Sequence, residues 1–228
     1  LPFMLIEDFE DSQDNYKRPA RATFLRYIRL FAAFLAVFLP ALFVSVQVHQ
    51  FQLLPVELLV TVINSTGNIP FSPTLEMLIA LVLFEILGEA SIRMPRHVGM
   101  VLGVVGAIVL GDTAVKAGLL SSLTVLVVAM SGIGIFTVPD EVGTMGILRI
   151  SFVVFGGLLG LFGILISAMC IIAYTSNLSS FGVPYLSPVA PILKDDLRDF
   201  LIKHNLTDLK TRSVSYGLLD KTRLRRVK

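Results

Sequence analysis

Three charged residues recur at intervals of four in an otherwise apolar stretch of the chain. Glu85, Glu89 and Arg93 lie at i, i+4 and i+8, along one face of a helix, and Glu89 before Arg93 is the favourable order for an ion pair. Glu76 would point to another side of that helix. Ionisable groups inside apolar segments usually face a protein interior or a water-filled cavity. We therefore expect Glu85, Glu89 and Arg93 to form an intramembrane polar face.

Two roles fit this polar face. It could form the wall of an ion path, in which case the carboxylates would attract cations. It could instead hold a structural ion pair that fixes its helix to a neighbouring helix. Both interpretations predict that Glu85 and Glu89 avoid lipid, and the residue types alone leave both open.

A short glycine-rich segment follows, at residues 98–111. It is uncharged and would span about 21 Å as a straight helix, less than the roughly 30 Å hydrocarbon core of a bilayer. Gly99, Gly103 and Gly106 are candidates for close helix packing, because small residues let helices approach each other. The apolar residues between them could form a hydrophobic constriction around a symmetry axis. These pore-lining candidates are Val101, Val104, Val105 and Ile108.

The sequence offers little that would support catalysis. It has no HExxH zinc motif, no GxSxG nucleophile motif and no GxxxxGK[ST] phosphate loop. Its only cysteine, Cys170, lies within an apolar stretch, so we predict no metal cluster and no disulfide framework. We therefore predict a protein that is not an enzyme, has no catalytic residues, and needs no metal or cofactor.

Hydrophobic patterning places these residues in a membrane protein. The chain is 54% hydrophobic and 16% charged, whereas soluble domains are about 25% charged. Residues 30–48, 117–138 and 150–174 are uncharged and long enough to cross a bilayer, and residues 74–94 form the acidic helix. Residues 55–64 suit a short interfacial helix. The predicted fold is an all-α integral membrane protein with about four transmembrane helices, a short re-entrant or broken helix and an interfacial helix.

Charge distribution suggests three regions. Residues 1–24 would be an N-terminal cytoplasmic segment, because arginines cluster before the first apolar stretch. Residues 25–193 would be the transmembrane helical domain. Residues 194–228 hold ten of the 19 lysine and arginine residues and would be a basic cytoplasmic tail near anionic lipid. The partner of this tail would be the membrane and not nucleic acid.

A group of short motifs resembles one known family. One motif is residues 180–188, SFGVPYLSP, which follow a long apolar stretch. Two others, 18–26, RPARATFLR, and 38–42, FLPAL, resemble the first span of that family. Its acidic helix is similar to 55–59, PVELL, and 84–90, FEILGEA. Residues 99–111, 136–139 and 147–149 also fit. Over about residues 1–193 the chain resembles the membrane domain of GerA-type spore germination proteins, the A subunits of nutrient germinant receptors and their SpoVAF-like paralogues.

The resemblance implies a function. Such A subunits are expected to form homo-oligomers around a pore in the inner (cell) membrane of the spore, as multi-pass proteins that release cations when a nutrient is sensed. Expected partners are a transporter-like B subunit and a lipoprotein C subunit. The pore-lining role would fall on Val101, Val104, Val105 and Ile108, with Glu85, Glu89 and Arg93 packed beside them.

The chain departs from the family in one respect. Family members carry a soluble domain before the membrane part, and here it is absent, so we expect a fragment or a truncated homologue. Two alternatives to a nutrient-gated cation channel remain. One is a structural subunit that holds the complex together without conducting. The other is an ion-coupled transporter that uses Glu85 and Glu89.

Overall fold

Helices dominate the computed structural model, which confirms the prediction of a helical protein. It describes residue 9 and residues 17–93, 95, 98–99, 103, 105–106 and 108–192. The chain divides into two compact units. One contains residues 1–31 and 169–228, and the other contains residues 32–168.

In the part of the chain that the structure describes, six α-helices longer than three residues have defined bounds. They are α1 (Pro19–Val48), α2 (Val56–Thr66), α3 (Pro73–Arg93), α4 (Ser122–Ile135), α5 (Val142–Leu159) and α6 (Leu161–Asn177). Short 3₁₀ turns at Phe51–Leu53 and Pro139–Glu141 precede α2 and α5. After α6, strands β1 (Ser179–Ser180) and β2 (Val183–Pro184) pair antiparallel in a small hairpin. The acidic helix α3 packs mainly against α4 and α5.

Two segments of the described chain are long and apolar enough to cross a membrane. They are Pro19–Val48, which is α1, and Pro139–Leu159, which contains α5. Helices α2, α4 and α6 are apolar but shorter. Helix α3 is long enough, but it carries Glu76, Glu85, Glu89 and Arg93. Length and composition therefore support the first predicted crossing, and they give a second candidate at Pro139–Leu159, which overlaps the predicted 150–174 only in part.

The last apolar stretch is not one helix. The sequence predicts a continuous crossing at residues 150–174, and this prediction is wrong because the helix breaks at Gly160. Gly160 has φ 66° and ψ −148°, a conformation that is almost confined to glycine. A Cβ atom there would lie 2.9 Å from Nε2 of Gln50 and 3.1 Å from Cβ of His49. Backbone conformation and crowding therefore both require glycine where α5 ends.

The glycine-rich segment after α3 ends irregularly. Residues 98–99, 103, 105–106 and 108 are helical, and a π-helical turn follows at Val109–Thr113. A single α-helical turn at Ala114–Lys116 then leads to Gly118, where φ is 69°. The chain enters α4 at Ser121, whose hydroxyl accepts a hydrogen bond from the Thr124 N–H. The described residues after Ile108 therefore do not continue as a straight α-helix.

Replacing Gly160 with alanine should destabilise the fold. We expect a loss of about 1–3 kcal/mol in the free energy of unfolding, because alanine disfavours this backbone conformation. Denaturant-induced unfolding in detergent micelles would measure it. Gly143→Ala in α5 is the matched control, since a Cβ there meets no heavy atom within 4 Å among the described residues. The control should change stability by no more than about 1 kcal/mol. Equal effects of the two substitutions would contradict this account of the break.

Candidate functional site

The candidate site is built around Arg149, a fully buried cation in the middle of α5. Its side chain has an exposed fraction of 0%. In the sequence it is the only charged residue between Glu141 and Lys194. A buried guanidinium must be paired and hydrogen-bonded, because an isolated charge is very costly to remove from water. The neighbouring helices must therefore supply its partners.

Glu85 of α3 neutralises Arg149. The Nη2 atom of Arg149 donates to Oε1 of Glu85 at 2.7 Å, and the Glu85 side chain is 31% exposed. The Phe84 ring covers the guanidinium, with its centroid 5.3 Å from Cζ, close enough for a cation–π interaction. Among the described residues, Nε of Arg149 has no hydrogen-bond partner. Arg149 thus joins α5 to α3 through one ion pair and one aromatic contact.

Ser131 of α4 extends this pair into a chain of hydrogen bonds. Its hydroxyl oxygen accepts from Nη1 of Arg149 at 2.9 Å, and the hydroxyl donates to the carbonyl of Ala36 at 2.6 Å. Ala36 lies four residues before Pro40 in α1. Proline has no N–H, so the helix cannot supply the usual i+4 partner for this carbonyl. Ser131 therefore satisfies an acceptor that Pro40 leaves free, and the network links α1, α3, α4 and α5.

Glycines make room for these contacts. A Cβ atom on Gly146 of α5 would lie 2.5 Å from Oε1 of Glu85, and one on Gly132 of α4 would lie 2.2 Å from Cζ of Phe84. A Cβ atom on Gly134 would lie 2.5 Å from the Ala32 carbonyl oxygen of α1. Side-chain atoms at these distances would force the helices apart. Small residues therefore set the helix separations at which Arg149 can meet its partners.

The predicted polar face divides into two ion pairs. Glu89 and Arg93 form an exposed pair, with Nε of Arg93 donating to Oε1 of Glu89 at 2.7 Å. Their side chains are 61% and 78% exposed, respectively. Glu85 instead turns towards Arg149 in the interior. The three residues share one side of α3 but do not act as one cluster.

Glu76 has a separate structural role at the start of α4. It is 1% exposed, and its Oε1 atom accepts a hydrogen bond from the Ser121 N–H at 2.6 Å. A carboxylate at a helix N-terminus interacts favourably with the partial positive charge of the unpaired N–H groups. This contact fixes the beginning of α3 against the beginning of α4.

The glycine-rich segment approaches α3 through its glycines. A Cβ atom on Gly106 would lie 2.7 Å from Cδ1 of Leu87, and one on Gly99 would lie 3.4 Å from the Ser91 carbonyl oxygen. At Gly103 a Cβ atom would meet no atom within 4 Å in the part of the chain that the structure describes. The pore-lining candidates Val105 and Ile108 are 51% and 56% exposed. The other two candidates, Val101 and Val104, lie outside the described residues.

Sequence reasoning missed the partner of Glu85. With the last crossing predicted at residues 150–174, Arg149 would stand just before it, but Arg149 lies inside α5. A signal was present, because Arg149 is a single charge within a long uncharged run. Such a residue requires an acidic partner, and α3 carries three carboxylates. The choice among the three carboxylates depends on how the helices pack, and the sequence alone does not reveal that packing.

Neutralising Glu85 should destabilise the protein far more than neutralising Glu89. Glu85→Gln leaves the charge of Arg149 buried without a carboxylate, so we expect a loss of about 3 kcal/mol in unfolding free energy. Glu89→Gln, the same change one turn along α3, breaks an exposed pair and should cost about 1 kcal/mol or less. The double variant E85Q/R149M buries no unpaired charge and should recover part of the loss. Similar losses from the two single variants would contradict the assignment.

The role of Pro40 can be tested through Ser131. Ser131→Ala leaves the Ala36 carbonyl and Nη1 of Arg149 without their partner and should cost about 1–3 kcal/mol in unfolding free energy. Pro40→Ala restores an N–H to which that carbonyl can bond within α1. The cost of Ser131→Ala should therefore be about 1 kcal/mol smaller in a Pro40→Ala background. Strictly additive effects would show that the two residues do not share the carbonyl.

With this geometry established, comparisons with known proteins place the chain in a family. It is 32% identical over 204 residues to YfkQ, a membrane protein of Bacillus subtilis (strain 168), covering 89% of this chain and 40% of the relative. It is 35% identical over 216 residues to spore germination protein GerQA of Bacillus cereus, covering 94% of this chain and 43% of that relative. Spore germination protein GerLA of the same species is 31% identical over 213 residues, covering 92% of this chain and 43% of that relative.

The chain spans about two fifths of the length of these curated relatives. No solved structure matches it at a significant level. The family described as Bacillus/Clostridium GerA spore germination protein matches residues 1–215. The chain therefore belongs to the GerA family of spore germination proteins.

Proposed function

We propose that this chain is the membrane part of an A subunit of a spore germination receptor, and that copies of it assemble around a nutrient-gated, cation-releasing channel. The observation that carries the proposal is the family, because the match covers residues 1–215 and relatives at 31–35% identity are named spore germination proteins. The proposed location is the inner membrane of the spore, with several crossings. The proposed partners are a transporter-like B subunit and a lipoprotein C subunit.

The region proposed for the membrane is residues 25–193, preceded by a cytoplasmic segment at 1–24 and followed by a basic cytoplasmic tail at 194–228. Helices α1 and α5 support this proposal through their length and apolar composition. The shorter apolar helices α4 and α6 would complete the bundle with α3. Helix α2 supports an interfacial placement, because most of its side chains are exposed and only Val62 is buried. The tail lies outside the described residues.

The gate is proposed to lie in the glycine-rich segment. With 3.6 residues per turn, Gly99, Gly103 and Gly106 fall on one face of a helix, whereas Val105 and Ile108 fall on the other side. Gly106 faces Leu87 of α3, while Val105 and Ile108 are about half exposed. A face that turns away from its own bundle is available to meet the same face of other copies. Apolar side chains around such an axis can close a narrow pore by excluding water.

The buried ion pair favours a structural role for α3 in this channel, not an ion-binding one. Glu85 is already paired with Arg149, so its charge is neutralised within the bundle. An ion-coupled transporter would need a carboxylate that is free to bind the coupling ion, and Glu85 as observed is not free. The pair favours instead a rigid frame against which the glycine-rich segment packs. The same frame would serve a structural, non-conducting subunit, so the gate itself must be tested.

Small or polar substitutions in the proposed gate should produce a leak. Val101, Val104, Val105 and Ile108 would be replaced singly by serine in the full-length parent protein, and cation release from spores would be measured without nutrient. We expect release from at least one variant, because a hydroxyl hydrates a constriction that apolar side chains keep dry. The matched control is Val60→Ser in α2, since Val60 is 50% exposed and Val105 is 51% exposed.

Protein abundance would be compared by immunoblot. If all four variants are silent at normal abundance, this segment is not the gate, and the structural-subunit alternative becomes the better one. If the Val60 control leaks equally, the effect reflects general disruption of the membrane domain. Conductance of purified wild-type protein in a planar bilayer would separately test whether the subunit conducts at all.

A further inference from the structure

An apolar cavity of about 560 Å³ lies between α3, the glycine-rich segment and α4. Helix α3 contributes side chains such as Phe84 and Leu87, and α4 contributes Val125 and Val128. The cavity is partly open, so it is a pocket in the side of the bundle and not a sealed void. The volume falls within the range of about 300–1,000 Å³ that is typical of ligand pockets.

The cavity exists because side chains are missing from its walls. Gly88, Gly103 and Gly111 line it, and a Cβ atom built on any of them meets no heavy atom of the described residues within 4 Å. At Gly106, by contrast, a Cβ atom would lie 2.7 Å from Leu87. The segment therefore approaches α3 at Gly99 and Gly106 and leaves open space at Gly103 and Gly111.

The chemistry of the walls selects an apolar occupant. Ser91 is the only described lining residue with a polar side chain, and its hydroxyl already donates to the Leu87 carbonyl at 2.8 Å. Water needs two to four polar partners to occupy a buried site, and a dry apolar cavity instead takes molecules such as benzene or xenon. A polar nutrient would lose its hydrogen bonds to water without replacement. Only a hydrocarbon matches the described lining.

We propose that this cavity binds one acyl chain of a bilayer phospholipid. The proposal rests on the membrane location in the proposed function. Exposed apolar side chains flank the lining residues in sequence, with Ile86 of α3 59% exposed and Leu126 of α4 55% exposed. The hydrocarbon that surrounds these side chains in a bilayer also reaches the cavity, which is partly open. The surrounding lipid therefore supplies the occupant without a dedicated carrier.

The bound chain would support the buried ion pair through Phe84. This ring forms part of the cavity wall and also covers the Arg149 guanidinium, 5.3 Å from its centroid. Gly132 contacts the ring from α4, where a Cβ atom would lie 2.2 Å from Cζ. An acyl chain in the cavity would keep Phe84 in place from the open side. The cavity is thus a lipid site that borders the network joining α3, α4 and α5.

Photolabelling tests the proposal. The full-length subunit would be reconstituted into vesicles containing a phosphatidylglycerol with a diazirine in its acyl chain, illuminated and mapped by peptide mass spectrometry. We expect label on Leu87, Val125 and Val128 in the wild type. Gly103→Phe and Gly88→Leu fill the cavity and should reduce that label to background. Gly143→Phe is the matched control, because Gly143 also has open space but does not line the cavity, and its label should match the wild type.

Several outcomes would overturn the lipid site. Label found only on outward-facing residues such as Ile86 and Leu126 would overturn it. Cavity label that persists in both Gly103→Phe and Gly88→Leu, when each variant remains monodisperse, would also overturn it. Stronger cavity label from a free diazirine fatty acid than from the phospholipid would assign the site to a different source. Cross-links between these residues and a second copy would assign it to the oligomer.

Nutrient-triggered cation release would be measured on the same variants in spores. Normal release in wild-type spores without any cavity label in vesicles would reject the lipid site and leave the channel proposal intact. Cavity label in a protein that does not conduct would support the lipid site and reject the channel. The experiments can therefore reject the lipid site without rejecting the channel, and the channel without rejecting the lipid site.

Discussion

Burial of one positive charge constrains most of the packing in the larger unit. Arg149 is inaccessible to solvent, so its guanidinium needs partners within the protein. Those partners come from α3 and α4, and the hydroxyl that contacts it also satisfies a carbonyl of α1. Four helices are thus held at distances that hydrogen-bond geometry fixes to within a few tenths of an ångström. Apolar packing alone has no comparable directional requirement.

The network can form only where backbones come unusually close. Gly132 and Gly134 on α4, and Gly146 on α5, lie where any larger side chain would collide with a partner of the network or with α1. Farther along α5, a Cβ atom on Gly157 would lie 2.3 Å from Cγ2 of Thr74 in α3. In a bilayer, where lipid is as apolar as leucine, close packing and interhelical hydrogen bonds drive helix association. The glycines and the polar network therefore both promote association of the helices.

The sequence predicted the helical class, the position of α3 and the Glu89–Arg93 pair because these depend on local periodicity. Helix α3 runs from Pro73 to Arg93, close to the predicted 74–94. The break at Gly160 was missed, because a glycine in an apolar run looks the same whether it packs within a helix or ends one. Pairing of Glu85 with Arg149 was missed for another reason. It joins residues 64 positions apart, and no local pattern encodes such a contact.

That separation also bears on how the protein is made. During synthesis α3 emerges with Glu85 unpaired, and Arg149 follows only after the glycine-rich segment and α4 have been translated. A lone carboxylate near the bilayer centre costs about 2.5–3.5 kcal/mol on insertion scales. With the membrane location proposed above, α3 would be held poorly in lipid until α5 arrives, so the two helices would have to enter the membrane together. The order of helices along the chain would then make bundle closure a late step of biogenesis, and a nascent chain stopped before residue 149 would carry a helix that has not yet met its counter-ion.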